Sequence, residues 1–191
     1  MTQQMTQTQT VNGVDVGRLM ENIEAIKSNP VLAKFRFKMN NEWYDGGHTR
    51  TTINGYHGVG EDFTRDTSFT LDSDEPPVLL GMDKGPNPVE YLLAAIASCV
   101  TTATVYHAAA RGIRIDEFES TVDGDIDIQG FLGLNKDVRP GYQEIRINFR
   151  IKSDAPQEEL DELLAVAPML SPVFNSVTQG VPVRLNFERK S

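Results

Sequence analysis

A single cysteine, Cys99, carries all the thiol chemistry of this 191-residue chain. No disulfide can form within one copy, and no thiolate-rich zinc set exists. Histidine is nearly as scarce: His48, His57 and His107 are the only three, and none has metal-ligand spacing. No glycine-rich phosphate loop or dinucleotide fingerprint follows a strand pattern, so neither a metal nor an organic cofactor is expected. Basic residues are outnumbered 18 to 27, leaving a net charge of −9. That argues against nucleic acid and against anionic membrane surfaces, because binding phosphates takes clustered lysine and arginine. The opening MTQQMTQTQT has neither the basic nor the apolar region of a secretory signal. The longest apolar stretch, from Tyr91 to Ala110, is interrupted by Ser98, Thr101, Thr102, Thr104 and His107. It reads as a core helix rather than a membrane span. Together these absences point to a reducing cytoplasm.

What is present describes a globular protein: 39% hydrophobic and 24% charged residues, in a chain long enough to bury a sizeable core. Residues 1–12 are polar and read as a disordered tail. An N-terminal helical segment over 13–30 follows, with Val16, Leu19, Met20, Ile23 and Ile26 at helical spacing from Asp15 to Ser28, and Asn29-Pro30 stopping it. Strand patterns then run over Phe35–Tyr44, Thr49–Tyr56 and Thr67–Leu71. A proline-rich connector, Asp74 to Pro88, leads into the apolar stretch. Beyond Gly112, strands are expected over Arg114–Gln129 and Tyr142–Lys152, and an acidic helix over Pro156–Ala167. A further helix is expected from Ser171-Pro172 to Gly180, then a final strand on which Val181, Val183, Leu185 and Phe187 alternate. The class is α+β, with antiparallel strands on either side of a long central helix.

That helix is sharply delimited. Asn87 suits the N-cap, Pro88 the first helical position, and Glu90 the place from which a carboxylate closes a capping box. Gly112 suits a left-handed stop. No polar face lies between, so the helix must be covered on nearly every side. Ala94, Ala95, Ala97 and Ser98 would admit another helix closely. Cys99 sits about three turns in, too far from the positive end of the helix dipole to feel it strongly. On composition alone the plainer reading of Cys99 is a small buried side chain.

Resemblance adds a second reading. GPNPVEYLLAAIASC, Gly85 to Cys99, closely resembles the helix motif of the OsmC/Ohr family (osmotically inducible protein C and organic hydroperoxide resistance proteins). There a Gly-x-x-Pro, a glutamate and an alanine-rich run lead into a peroxidatic cysteine. EPPVLLGMDKGPNP, VYHAAARGI and SPVFNSVTQGVPVRL resemble other parts of the family pattern, and the likeness covers roughly residues 30–187. The resemblance implies an OsmC-like fold over 31–191 as a single domain: antiparallel sheets around a long central buried helix, in an intertwined homodimer. It implies thiol-dependent reduction of organic hydroperoxides, with Cys99 as nucleophile, Glu90 as the carboxylate that orients an arginine, and that arginine holding the thiolate. DGGHTRTT resembles the family's glycine-rich stretch and offers His48 or Arg50 for the last role. Arg50 is chosen because a guanidinium is permanently charged and pairs with a carboxylate in a two-bond fork. Plainer roles stand beside these: a surface arginine on a strand, and a capping glutamate.

Nine residues separate Glu90 from Cys99. On a straight helix that sets them on opposite faces with about 13 Å of rise between them, so an arginine, a kink or a second subunit must bridge them. The pattern also breaks at one point. Where the family carries a second, resolving cysteine, this chain has Ser171, which has a sufficient reason to be there as an N-cap. A two-thiol cycle is therefore closed to one subunit, and an external thiol reductant is implied. The competing expectation is a non-catalytic member that binds an apolar small molecule between subunits. Trp43 with Tyr44, and Phe131 with Leu132, are candidates for the mouth of an apolar pocket suited to bulky hydroperoxides, or for ordinary core or interface packing.

Overall fold

Local signals set the ends of most helices in the computed structural model, which describes residues 10–190. Asn12 and Gly13 both adopt positive φ, +53° and +77°. This matches the Asn-Gly hairpin turn, and it pairs β1 (Thr10–Val11) with β2 (Val14–Asp15). Of the stretch expected as a tail, residues 1–9 lie outside the described residues, while Thr10 and Val11 belong to this hairpin. Helix α1 (Val16–Ser28) begins where the Asp15 carboxylate accepts from the Arg18 backbone N–H at 2.9 Å. It stops at Asn29, and Pro30 opens a short 3-10 turn, Pro30–Ala33.

The next sheet is built on one long strand. Strand β5 (His48–Gly58) is flanked on one side by β3 (Arg36–Phe37) and β4 (Asn40–Asp45), end to end, and on the other by β6 (Glu61–Ser73). All pairings are antiparallel. The strand expected over Phe35–Tyr44 is thus two strands, broken at Lys38 and Met39. A larger irregularity lies on the opposite edge. Between the pairs Ile53↔Phe69 and Gly55↔Thr64, one residue of β5 faces four of β6, Arg65 to Ser68. The bulge bends the hairpin and resets its register. Counting straight back from the Gly58↔Glu61 end would set Arg50 opposite Phe69; the bulge sets it opposite Asp72.

Helix α2 (Pro88–Ala110) has the start and stop its sequence indicates. The Asn87 side chain accepts from the Val89 N–H at 3.0 Å, and Glu90 Oε2 accepts from the Asn87 N–H at 2.8 Å. The first is an N-cap bond to the second helical residue, and the second is the return bond of a capping box. At the far end Gly112, at φ +74°, permits a Schellman turn: the Ile113 N–H bonds Ala108 O at 2.9 Å and the Gly112 N–H bonds Ala109 O at 3.0 Å. Covering on all sides, however, is not found. Ile96, Val100, Thr104, Ala108 and Ala109 are buried, the first four as an i+4 stripe, while Val89, Leu92 and Tyr106 stay largely exposed in the single chain. By length and composition the helix is apolar enough to cross a membrane, a test that the core helix of a soluble protein also passes.

The chain divides into two compact units, Met1–Ala94 and Ala95–Ser191. The boundary falls inside α2 and inside the segment expected as one domain. In the second unit β7 (Glu117–Asp125) pairs with β8 (Glu144–Lys152). Alternation sorts the two faces. Phe118, Val122, Ile145, Ile147, Phe149 and Ile151 lie half-buried on one face, with the Phe118 and Phe149 rings edge-to-face at 5.3 Å. The other carries the cross-strand pairs Glu117–Lys152, Glu119–Arg150 and Asp123–Arg146. A short helix, α3 (Ile128–Phe131), follows β7. Helix α4 (Gln157–Val166) packs Leu163 with Ala167 against Ala108 and Ile113, so the Schellman turn feeds its hydrophobic residue directly into this core. Helix α5 (Pro172–Gln179) ends at Gly180, whose φ is +72°.

The final strand expected over Val181–Phe187 is not formed. Residues 180–190 have no ladder partner among the described residues, and Phe187 is 92% exposed. Alternation alone makes no strand, since a strand exists only through the hydrogen bonds of a neighbour.

Leu163 is completely buried and central to the second unit's core. Replacing it with alanine is expected to cost about 2–5 kcal/mol, read as a lower urea midpoint with an unchanged slope.

Candidate functional site

The first unit gathers polar groups around the end of β6. Asp72, opposite Arg50 in the ladder, takes the guanidinium in a two-bond fork: Nε donates to Oδ1 at 2.9 Å and Nη2 to Oδ2 at 3.2 Å. His48 Nε2 lies 2.8 Å from the same Oδ1, so its Nε2–H tautomer donates there too. Tyr44 covers this group, stacking on the His48 ring at 5.2 Å and lying 5.3 Å beneath the guanidinium. The Arg50 bond, then the His48 bond, hold the Asp72 carboxyl below the usual carboxylate range despite partial desolvation. The same pairing raises the pKa of Arg50.

Two residues further on, Asp74 is 1% exposed. Its carboxylate accepts the backbone N–H groups of Glu75, Met82 and Lys84 at 2.8, 3.1 and 3.3 Å. Burial pushes its pKa up, but these donors and nearby His48 outweigh that and leave it lowered. The connector so held includes Leu80 and Asp83 in the left-handed region, at φ +67° and +56°, a conformation that side chains other than glycine adopt at a cost. One carboxylate therefore ties together a connector whose regular structure is the short 3-10 turn Pro77–Leu79. Ser73 Oγ donates to Pro86 O at 3.0 Å, Tyr91 Oη donates to the Asp72 carbonyl at 2.7 Å, and the Asn87 side chain reaches Glu75. Strand end, connector and helix start form one hydrogen-bonded assembly.

Within it Glu90 is an exposed capping residue, bonded to the Asn87 N–H. The carboxylate that Arg50 meets is that of Asp72, not that of Glu90. Cys99 belongs to the second unit, partly buried on α2 beside the buried Ile96 and Val100. Ser171, in the same unit, is fully buried and acts as N-cap, its Oγ accepting from the Phe174 N–H at 3.3 Å. Tyr44 packs over His48 and Arg50, whereas Trp43 is exposed with its indole N–H on Gly46 O at 3.0 Å. Phe131 and Leu132 are exposed as well. A groove of about 430 Å³ at the break in the first sheet, lined by Met39, Asn40, Thr52, Asn54, Tyr56 and Phe63 among others, includes none of Arg50, Glu90 and Cys99. Among the described residues no cluster of histidine, cysteine and carboxylates could hold a metal ion.

Sequence reasoning missed Asp72, Asp74 and Tyr91. The triplet Asp72-Ser73-Asp74 at the end of an alternating run was a visible signal, since carboxylates commonly terminate strands and hold turns. Its pairing with Arg50 was not visible, because it depends on the bulge.

A family model described as OsmC-like protein matches residues 81–186. Among solved structures, the fold is similar to an OsmC-like protein from Mycoplasma pneumoniae at 20% identity, covering 76% of this chain and 89% of that one with a TM-score of 0.55. It is similar too to an organic hydroperoxide resistance protein OsmC from Legionella pneumophila, at 18% identity, 75% and 91% coverage and a TM-score of 0.53. An organic hydroperoxide resistance protein from Elizabethkingia anophelis gives 17% identity, 74% and 89% coverage and a TM-score of 0.53. At such identities the likeness concerns the fold. No curated protein matches the chain.

A carboxyl whose folded pKa is depressed contributes stability that is present above its unfolded pKa and lost as pH falls through the folded value. Asp72→Asn is therefore expected to destabilise the protein at neutral pH. The difference from wild type should shrink on acidification below about pH 4. Urea midpoints taken across that range check it.

Proposed function

Because this chain belongs to the OsmC-like protein family, we propose that it is a thiol-dependent peroxidase that reduces organic hydroperoxides with Cys99 as its single nucleophile. The supporting observation is the chain's only thiol, partly accessible on an apolar helix, at the end of the motif Gly85–Cys99. The Cys99 thiolate attacks the outer oxygen of ROOH; the O–O bond breaks, and the departing oxygen takes a proton and leaves as ROH. The sulfur, oxidised by two electrons, is left as sulfenic acid. An external thiol condenses with it, releasing water and forming a mixed disulfide. A second external thiol displaces the enzyme thiolate and carries off the oxidised pair. Arg50 is assigned to hold the thiolate, and Glu90 to fix the start of the helix that carries Cys99. A metal or organic cofactor has no part in this scheme.

A homodimer belongs to the same proposal. The largely exposed Val89, Leu92 and Tyr106 on α2 and the unpaired alternation of Val181, Val183, Leu185 and Phe187 are apolar surfaces that a second copy would cover. A cytoplasmic setting, with its pool of small thiols, suits a one-cysteine cycle.

The second reading, a non-catalytic member that binds an apolar small molecule, is favoured by Ser171. Its hydroxyl is buried and committed to capping α5, and no other residue supplies a resolving thiol. Chemistry separates the two readings. In the catalytic one, iodoacetamide alkylates native Cys99 at about pH 6.5 faster than a free cysteine of pKa about 8.5 allows. Cumene hydroperoxide yields a trappable sulfenic acid, and Cys99→Ser abolishes peroxide consumption. Labelling only after denaturation, with no peroxide consumed, would leave the binding role.

Ser171→Cys adds a further expectation. Oxidation of this variant should join the new thiol to Cys99 within one chain, seen as loss of both free thiols without a change in mass on non-reducing electrophoresis.

A further inference from the structure

The carboxylate that meets Arg50 is not the one its sequence motif suggests, and its surroundings are built to hold it. Asp72 is fixed from three directions. The bulged register sets it opposite Arg50. Tyr91 Oη bonds its carbonyl at 2.7 Å. Gly85 lies so close that a Cβ there would sit 2.2 Å from that same carbonyl oxygen. Ser73, next in the chain, is bonded to Pro86 O. With the backbone immobilised, the side chain presents both oxygens to the Nε and Nη2 edge of the guanidinium while His48 occupies the remaining approach to Oδ1. Tyr44 covers one face of the guanidinium. Nη1 is not part of this fork, and Tyr44 adds a side-chain interaction of its own with the guanidinium.

We propose that Asp72 is the positioning residue of Arg50, fixing the guanidinium plane so that its Nη1 edge is offered to a small anion. This rests on the reading in which that anion is the Cys99 thiolate or the oxygen leaving the peroxide. The fork fixes orientation as well as charge, because two parallel N–H···O bonds define a plane where a single ion pair defines only a distance. An asparagine at 72 keeps one acceptor but turns an N–H₂ group toward Nη2, so one arm of the fork is lost. A glutamate keeps both oxygens on a longer stem. His48 and Tyr44 complete the cage but touch only what Asp72 and Arg50 already define.

Two measurements on the full-length protein test this. In nitrogen-15 spectra the Arg50 Nε–H should be slow to exchange in the wild-type protein and should lose that protection in Asp72→Asn. An Nε–H already unprotected in wild type, or equally protected in the variant, overturns the proposal. The second measurement is the pH profile of Cys99 alkylation by iodoacetamide. Asp72→Asn should slow alkylation about tenfold near pH 6.5 and move the midpoint up by about one unit, and Asp72→Glu should recover part of the loss. Slow alkylation in Arg50→Ala together with a wild-type profile in Asp72→Asn also overturns it. If Arg50→Ala leaves the profile unchanged, the assignment of Arg50 to the thiol fails, and the Nε–H measurement alone decides whether Asp72 positions Arg50.

Discussion

A helix apolar on every side persists in water only where other surfaces cover it, and α2 is such a helix over 23 residues. Much of the protein answers that constraint. The Schellman turn at Gly112 carries Ile113 back onto Ala108, and Leu163 and Ala167 complete the cluster. In the single chain the covering is incomplete, and the remaining apolar surface is what makes a second copy part of the proposed function. The only thiol lies on this helix, where partial burial both shelters it and leaves it reachable.

The start of the helix is held by polar means. Asp74 gathers three backbone donors from a connector with two strained residues and no sheet of its own. Tyr91, Ser73 and Asn87 bind the strand end to the helix start. These bonds matter because Ser73 and Asp74 are buried, where polar groups have no water to satisfy them. The same assembly immobilises Asp72, and through Asp72 it determines how Arg50 is presented. Support for a loop and preparation of a cation are here one structure.

The elements easiest to read were those with local causes. Asn87-Pro88 and Glu90 marked the helix start, Gly112 its end, Asn29-Pro30 the end of α1, and Ser171-Pro172 the start of α5. Each is a contact between residues at most a few positions apart, and each is found. The resemblance carried by Gly85–Cys99 is matched by the family assignment over residues 81–186. The strand expected over Val181–Phe187 failed for the opposite reason: alternation was present but its partner was not. The break at Lys38–Met39 and the four-against-one bulge were invisible because polar and apolar residues both occur in such irregularities.

The sequence by itself determined the α+β class, the capped apolar helix, the family and the identity of the single thiol, since these follow from short-range spacing and residue type. Tertiary structure alone decided that Arg50 pairs with Asp72 rather than Glu90, that Asp74 holds the connector, and that Ser171 is buried as a cap. The physical reason is register. A side chain's partner across a sheet depends on every residue between the two strands, and three extra residues at Arg65–Ser68 were enough to exchange a phenylalanine for a carboxylate opposite Arg50.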